Sequence, residues 1–284
     1  MDFKGFTSQI IEKEMKVHGI QVYMKGQLVE EYGDTTGRYP VYSCTKGITS
    51  LAAGMAVDDG VLDINRSVLR YLPEDALEGI SEKQLEIFEK ITLRRLMTMS
   101  VSGLPFSNEG DNWIRNALIS RIDQVEDRQF NYSNVCAYLT GVAVSTAEKQ
   151  ALYGMLTERL FEPLGIQDPP HVTSPCGFFN GATGMELSVA ELSGIGMVYA
   201  NDGVYHGRRI VSGKYLHEAC RVQQMNREGG YGYFIWKYRD GFSINGKWGQ
   251  KCFIFPDRGL MVTFLSDMPE GSEAICELME QYIL

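Results

Sequence analysis

Ser43 and Lys46 stand three residues apart in Tyr42-Ser43-Cys44-Thr45-Lys46-Gly47. Residues at that spacing share one side of a helix, so the amine can reach the hydroxyl, and a helix start turns backbone N–H groups toward developing negative charge. A hydroxyl, an amine and an anion-stabilising helix end are the parts needed for acyl transfer through a serine ester. In a purely structural role the same two residues would be an N-cap and a solvated lysine, so the assignment depends on what accompanies them.

The element that must position them follows directly. Ile48, Leu51, Ala52, Met55 and Ala56 recur at the spacing of a buried helix face, and Asp59-Gly60 ends the run. The histidines at 18, 171, 206 and 217 form no metal-ligand spacing, and Ser43 lacks the Gly-x-Ser-x-Gly elbow of a Ser-His-Asp hydrolase. A Ser43 proton must therefore pass to Lys46 or to a tyrosine.

Composition narrows the function class. With 284 residues, 44% of them hydrophobic, the chain can bury a large core, and a net charge of −9 without a basic block argues against nucleic acid. The expected partner is a small-molecule substrate, with no cofactor and no metal; nothing in the sequence specifies an oligomeric state. No apolar stretch is long enough to span a membrane, and Met-Asp-Phe-Lys-Gly-Phe lacks the apolar core of a signal peptide, which predicts a cytoplasmic protein. The six cysteines have neither the density nor the pairing of a disulfide scaffold, and are expected as free, mostly buried thiols.

Periodicity predicts a helix over 7–17, a hairpin from 19–25 and 27–32, and helical patterns over 67–71, 81–89, 92–99, 135–145 and 146–161. A further helix over 188–200 opens with capping-box spacing between Ser188 and Glu191. Strands at 232–237, 242–245, 251–255 and 260–265 and a helix from 272 to 284 close the chain. The whole reads as an α+β unit, 1–284. An antiparallel sheet flanked by helices is built from 1–60 and 180–284, with a largely helical insertion at 61–179 and the serine helix between sheet and insertion.

This layout resembles the serine β-lactamase and penicillin-binding-protein superfamily, particularly its class C-like branch of esterases, D-stereospecific peptidases and aminohexanoate-oligomer hydrolases. Ser43-Cys-Thr-Lys46-Gly-Ile-Thr-Ser is similar to the family's Ser-x-x-Lys helix. The stretches from Asp59 to Pro73, Ile91 to Leu104 and Leu160 to Gly165 resemble further family segments in the same order. The second family motif, Tyr-x-Asn, has two matches. Tyr132-Ser133-Asn134 lies in a loop just before a helix, as the family carries it, whereas Tyr199-Ala200-Asn201 ends an apolar helix and is assigned to packing.

The third motif departs from the family pattern. Reading Phe242 to Gly246 as a strand and Lys247-Trp248-Gly249-Gln250 as its turn makes Gly246-Lys247-Trp248-Gly249-Gln250 resemble Gly-x-His-Gly-Gln, with Trp248 in the histidine place. The Lys247 N–H then completes an oxyanion hole, while the usual cationic side chain is turned away or replaced by an indole. The resemblance thus implies Ser43, Lys46 and Tyr132 as catalytic, and Asn134, Gly246, Lys247 and Trp248 as substrate-binding. Trp113 and Phe106 are added as aromatic pocket walls. Lys46 and Tyr132 share one proton, with Lys46 pushed toward its neutral form and Tyr132 toward phenolate. The expected activity is hydrolysis of small esters, amides or peptides; the alternatives are a β-lactamase or D-Ala-D-Ala carboxypeptidase, and an idle ligand binder or sensor.

Overall fold

The computed structural model describes residues 1–284. Asp2 caps the first helix, α1 (Phe3–Glu12), by accepting from the Gly5 N–H, so the helix starts and stops about four residues earlier than the apolar pattern alone suggests. The hairpin β1 (Val17–Met24) and β2 (Gln27–Gly33) follows, turning at Gly26 in a left-handed conformation that glycine adopts freely. Late in the chain β3 (Trp236–Tyr238), β4 (Gly241–Gly246), β5 (Gln250–Phe255) and β6 (Leu260–Ser266) complete one antiparallel sheet. Its strand order is β2-β1-β6-β5-β4-β3, so the two halves of the chain meet along β1 and β6.

Strand alternation divides the sheet into two faces. Ile20, Val22, Phe253, Phe255 and Phe264 point to one, where Phe6 and Ile10 of α1 and Ile275 and Met279 of the last helix bury them. Ile244, Cys252, Ile254 and Met261 point to the other, into the larger core. In that core lies α2 (Thr45–Asp58), whose residues from Thr45 to Ala56 are all buried. It packs on α3 (Asn134–Glu148) to one side and on β4 to the other. Between α2 and Val189 the chain consists of helices, turns and loops apart from the short strand Glu186–Leu187, which pairs with Tyr39–Pro40, and none of it joins the six-stranded sheet.

The expected helix over 146–161 begins later. Lys149 ends α3 in the left-handed region (φ 54°), and the chain resumes helix at Leu152, passing through a π turn over Thr157–Phe161 to the left-handed Gly165. At 188–200 the capping box forms as its spacing requires: Ser188 Oγ accepts from the Glu191 N–H, and Glu191 Oε2 from the Ser188 N–H. No helix is long and apolar enough to cross a membrane. All six cysteines are free, with Cys44, Cys136 and Cys252 buried, Cys220 and Cys276 partly so, and Cys176 exposed.

Candidate active site

Ser43 occupies a single 3₁₀ turn, Tyr42–Cys44, that leads into α2; its side chain makes no capping bond, so it is not the structural N-cap of the helix. Tyr42, just before it, is held at φ 47°, an uncommon conformation for a non-glycine residue. One turn on, Lys46 is 1% exposed. Its Nζ lies 3.0 Å from Ser43 Oγ, 2.7 Å from Asn134 Oδ1 and 3.0 Å from the Ala182 carbonyl oxygen.

Each acceptor is fixed by its own element. Asn134 is the first residue of α3, which Ser133 caps by accepting from the Val135 N–H, and the Asn134 N–H donates to the Phe106 carbonyl. Ala182 follows the left-handed Gly181, whose carbonyl accepts from Thr49 of α2. Burial strips water from the Lys46 ammonium and pushes it down to about 7, a fall that the neighbouring Cys136 and Cys44 thiols oppose only weakly. Two acceptors that cannot give up a proton, Asn134 Oδ1 and the Ala182 carbonyl, suit the two N–H bonds of a neutral amine. They leave its lone pair toward the Ser43 hydroxyl.

Tyr132 presents its ring to the same amine, with Nζ 4.8 Å from the ring centroid. Its expected drift to phenolate is not what the structure supports. Burial raises the phenol above its ordinary value, the Ser43 hydroxyl beside it only partly offsetting this, so Tyr132 stays neutral where Lys46 titrates. Phe130, Tyr231 and Trp236 hold the ring, with centroids 6.4, 6.3 and 5.6 Å away. Tyr199, the residue of the other Tyr-x-Asn, lies in the core with its hydroxyl donating to the Gly47 carbonyl at 2.7 Å.

β4 ends at Gly246, and Lys247–Gly249 forms the turn into β5. Gly246 packs against the serine turn so closely that a Cβ there would lie 2.3 Å from the Val41 carbonyl oxygen. Trp248 is left-handed (φ 63°), and its carbonyl is held by the Ser266 hydroxyl at 2.8 Å and the Met268 N–H at 3.2 Å. The Lys247 cation is not removed from the site, contrary to expectation. Its Nζ sits 4.5 Å from the Tyr42 ring centroid and 4.4 Å from that of Trp248, which are themselves 5.0 Å apart. Two ring faces attract an ammonium more than open water-facing backbone does, which keeps the side chain at the wall.

These residues line one cleft of ≈ 870 Å³ that contains Ser43, Tyr132, Asn134, Gly246, Lys247 and Trp248. Phe106 lines it as expected, but Trp113 does not. Trp113 opens a short helix, packs edge-on against Tyr138 at 5.2 Å and donates its Nε1–H to the Gly110 carbonyl, which directs the indole away from Ser43. Sequence reasoning missed several residues that also line the cleft, among them Glu228, Trp236, Asn245, Lys251 and Glu273. The alternation of β4 and β5 could have shown Asn245 and Lys251 as a cross-strand pair, whereas Glu228 lies in a loop whose position no local pattern gives.

Comparison with known proteins bears on the fold and the family. Protein Rv1367c of Mycobacterium tuberculosis is 26% identical over 244 residues, covering 66% of this chain and 59% of its own length, so the chain spans less than two thirds of that relative. A candidate β-lactamase from Bacteroides dorei DSM 17855 superposes with a TM-score of 0.79 at 17% identity, covering 99% of this chain and 97% of its own. A candidate 6-aminohexanoate-dimer hydrolase from Bacillus anthracis superposes at 0.75 with 18% identity, covering 96% and 80%. At such identities the likeness is one of fold. The sequence model of the Beta-lactamase family, by contrast, matches residues 8–275, and over that span, with the Ser43–Lys46 pair seated as described, the chain belongs to the Beta-lactamase family.

Proposed function

We propose that the chain is a serine hydrolase that cleaves small esters, amides or peptides through a covalent Ser43 ester. The observation that carries this reading is the threefold hydrogen bonding of the buried Lys46 amine to Ser43, Asn134 and Ala182. A lysine near 7 is divided between acid and base at neutral pH, which suits a group that must take a proton and return it.

Ser43 Oγ attacks the substrate carbonyl carbon as its proton passes to the Lys46 lone pair. The oxyanion so formed faces the backbone N–H groups of Ser43 and Lys247, one ahead of α2 and the other just past β4; such donors each contribute roughly 3 to 4 kcal/mol in other hydrolases. The neutral Tyr132 phenol gives its proton to the departing oxygen or nitrogen, and the proton held by Lys46 replaces it. Water then attacks the Ser43 ester and frees the acid.

Intact-protein mass spectrometry after treatment with a fluorophosphonate tests the reading. A single adduct on Ser43, absent from Ser43→Ala, is the expected result. An unmodified wild type would remove the hydrolase reading in favour of an idle relative that binds without turnover.

A further inference from the structure

Outside the Lys46 site, one buried cation lacks a partner of opposite sign. Arg95, in the short helix Leu93–Met97, is 4% exposed, and none of the ten ion pairs of the molecule includes it, so no carboxylate lies within 4.0 Å of its guanidinium. Backbone carbonyls from three segments take that place. Nη1 donates to the Lys90 carbonyl at 3.2 Å, Nη2 to that of Asp127 at 3.0 Å, and Nε and Nη2 both to that of Ser100, at 3.1 and 3.0 Å. Well-packed apolar side chains often stabilise a core as much as a buried charge does, but none can bond three stretches of backbone at once.

What Arg95 holds is the frame of Tyr132. Ser100 belongs to the segment from Met99 to Pro105, and both chain neighbours of Tyr132 hang on that segment. The Asn131 N–H donates to the Met99 carbonyl at 2.7 Å, the Asn131 side chain to the Val101 and Leu104 carbonyls at 3.0 Å, and the Ser133 hydroxyl to the Pro105 carbonyl at 2.6 Å. The Tyr132 ring itself packs among the rings of Phe106, Phe130, Tyr231 and Trp236, and ring pairs tolerate a spread of roughly 4.5 to 7 Å between centroids, too broad to fix a hydroxyl. The backbone on either side therefore sets the phenol.

Resting on the hydrolase reading above, we infer that Arg95 is a positioning residue: its guanidinium, bonded only to carbonyls, holds the Met99 to Pro105 segment against Asp127 and so keeps the Tyr132 phenol within reach of the leaving atom. Arg95 does not line the cleft and touches no substrate. The Ser43–Lys46 contact, by contrast, lies within one turn of chain. Arg95 thus acts on protonation of the leaving group and not on the attack of Ser43.

The test compares ethyl butyrate, whose alkoxide must be protonated as it leaves, with 4-nitrophenyl butyrate, whose nitrophenolate leaves unaided. Arg95→Met should lower kcat on the ethyl ester about tenfold more than on the nitrophenyl ester, part of the roughly 10² to 10⁴ that general acid catalysis contributes, with KM for each little changed. Arg95→Lys, which keeps the charge without the fork, should fall between wild type and Arg95→Met. In a Tyr132→Phe background, where no phenol remains to be placed, Arg95→Met should depress both esters alike. Equal losses on the two esters in the single variant would leave Arg95 a structural role alone and overturn the inference, as would no loss on either. If Arg95→Met does not fold, a wild-type ratio of the two kcat values in Arg95→Lys overturns it. A wild type that cleaves neither ester and takes no fluorophosphonate adduct removes the hydrolase reading, and this role with it.

Discussion

Lys46 Nζ lies closer to Asn134 Oδ1, at 2.7 Å, than to the Ser43 hydroxyl at 3.0 Å. The amide thus orients the amine, and the serine takes the direction left over. Asn134→Asp replaces that amide oxygen by a carboxylate, which favours the charged lysine and should move the acid limb of kcat/KM upward from about 7 by one pH unit or more. A pH–rate profile on a nitrophenyl ester checks this; an unmoved limb would mean that another group titrates.

The depressed Lys46 also links stability to pH. Its native value near 7 lies below the unfolded value of about 10.4, so between these the unfolded chain binds more protons and stability rises with pH; below 7 the full cost of burying the charge is present. The difference in urea midpoint between wild type and Lys46→Met should therefore change across pH 7 to 10, the wild type gaining on the variant. A constant difference would show that Lys46 titrates normally.

Ser43→Ala should abolish ester hydrolysis while changing stability by about 1 kcal/mol or less, because the hydroxyl caps no helix and the Lys46 amine it contacts keeps two other acceptors. Residual turnover near the wild-type rate would take Ser43 out of the mechanism.

A neutral Tyr132 predicts a leaving-group dependence. Tyr132→Phe should slow alkyl esters by roughly 10² to 10⁴, the usual span for general acid catalysis, and nitrophenyl esters far less, since nitrophenolate departs without a proton. Equal losses on both would assign Tyr132 to activation of Ser43 instead.

Cys44 adjoins the nucleophile yet is buried against the Ile244 and Gln250 carbonyls, and burial raises its thiol well above the ordinary value. Native protein should therefore show one fast thiol toward a disulfide reagent, the exposed Cys176, without loss of activity. Fast modification of Cys44 with inactivation would show that the serine turn opens.

How much of this was legible depended on the range of the interactions. The serine helix, the capping box at Ser188 and the strands from Gly241 onward were readable because spacing within a dozen residues determines them. The stop at Lys149 was not, since a lysine in the left-handed region leaves no mark in a run that reads Thr-Ala-Glu-Lys-Gln. β3 begins at Trp236, not at Gly232, because Phe234 is left-handed and a Cβ at Gly232 would lie 1.9 Å from the Ala219 carbonyl oxygen; that stretch turns before it pairs. Ser43, Tyr132 and Asn134 meet in the cleft, and the buried Lys46 joins them from behind through Ser43 and Asn134. The aromatic wall was misjudged, because a tryptophan's neighbours are chosen by tertiary packing, and Trp113 found Tyr138.

The contact of Gly246 with the Val41 carbonyl bears on how such a protein can diversify. The strand end and the serine turn touch main chain to main chain, with no room for a methyl group between them. The clearance between nucleophile and oxyanion donor is therefore a gauge cut into the backbone, which no side chain along the cleft can reset. Residues such as Phe106, Ser107 and Glu228, carried on loops, are free to drift and change what the cleft admits. Gly246→Ala, one carbon atom, should instead silence every substrate at once.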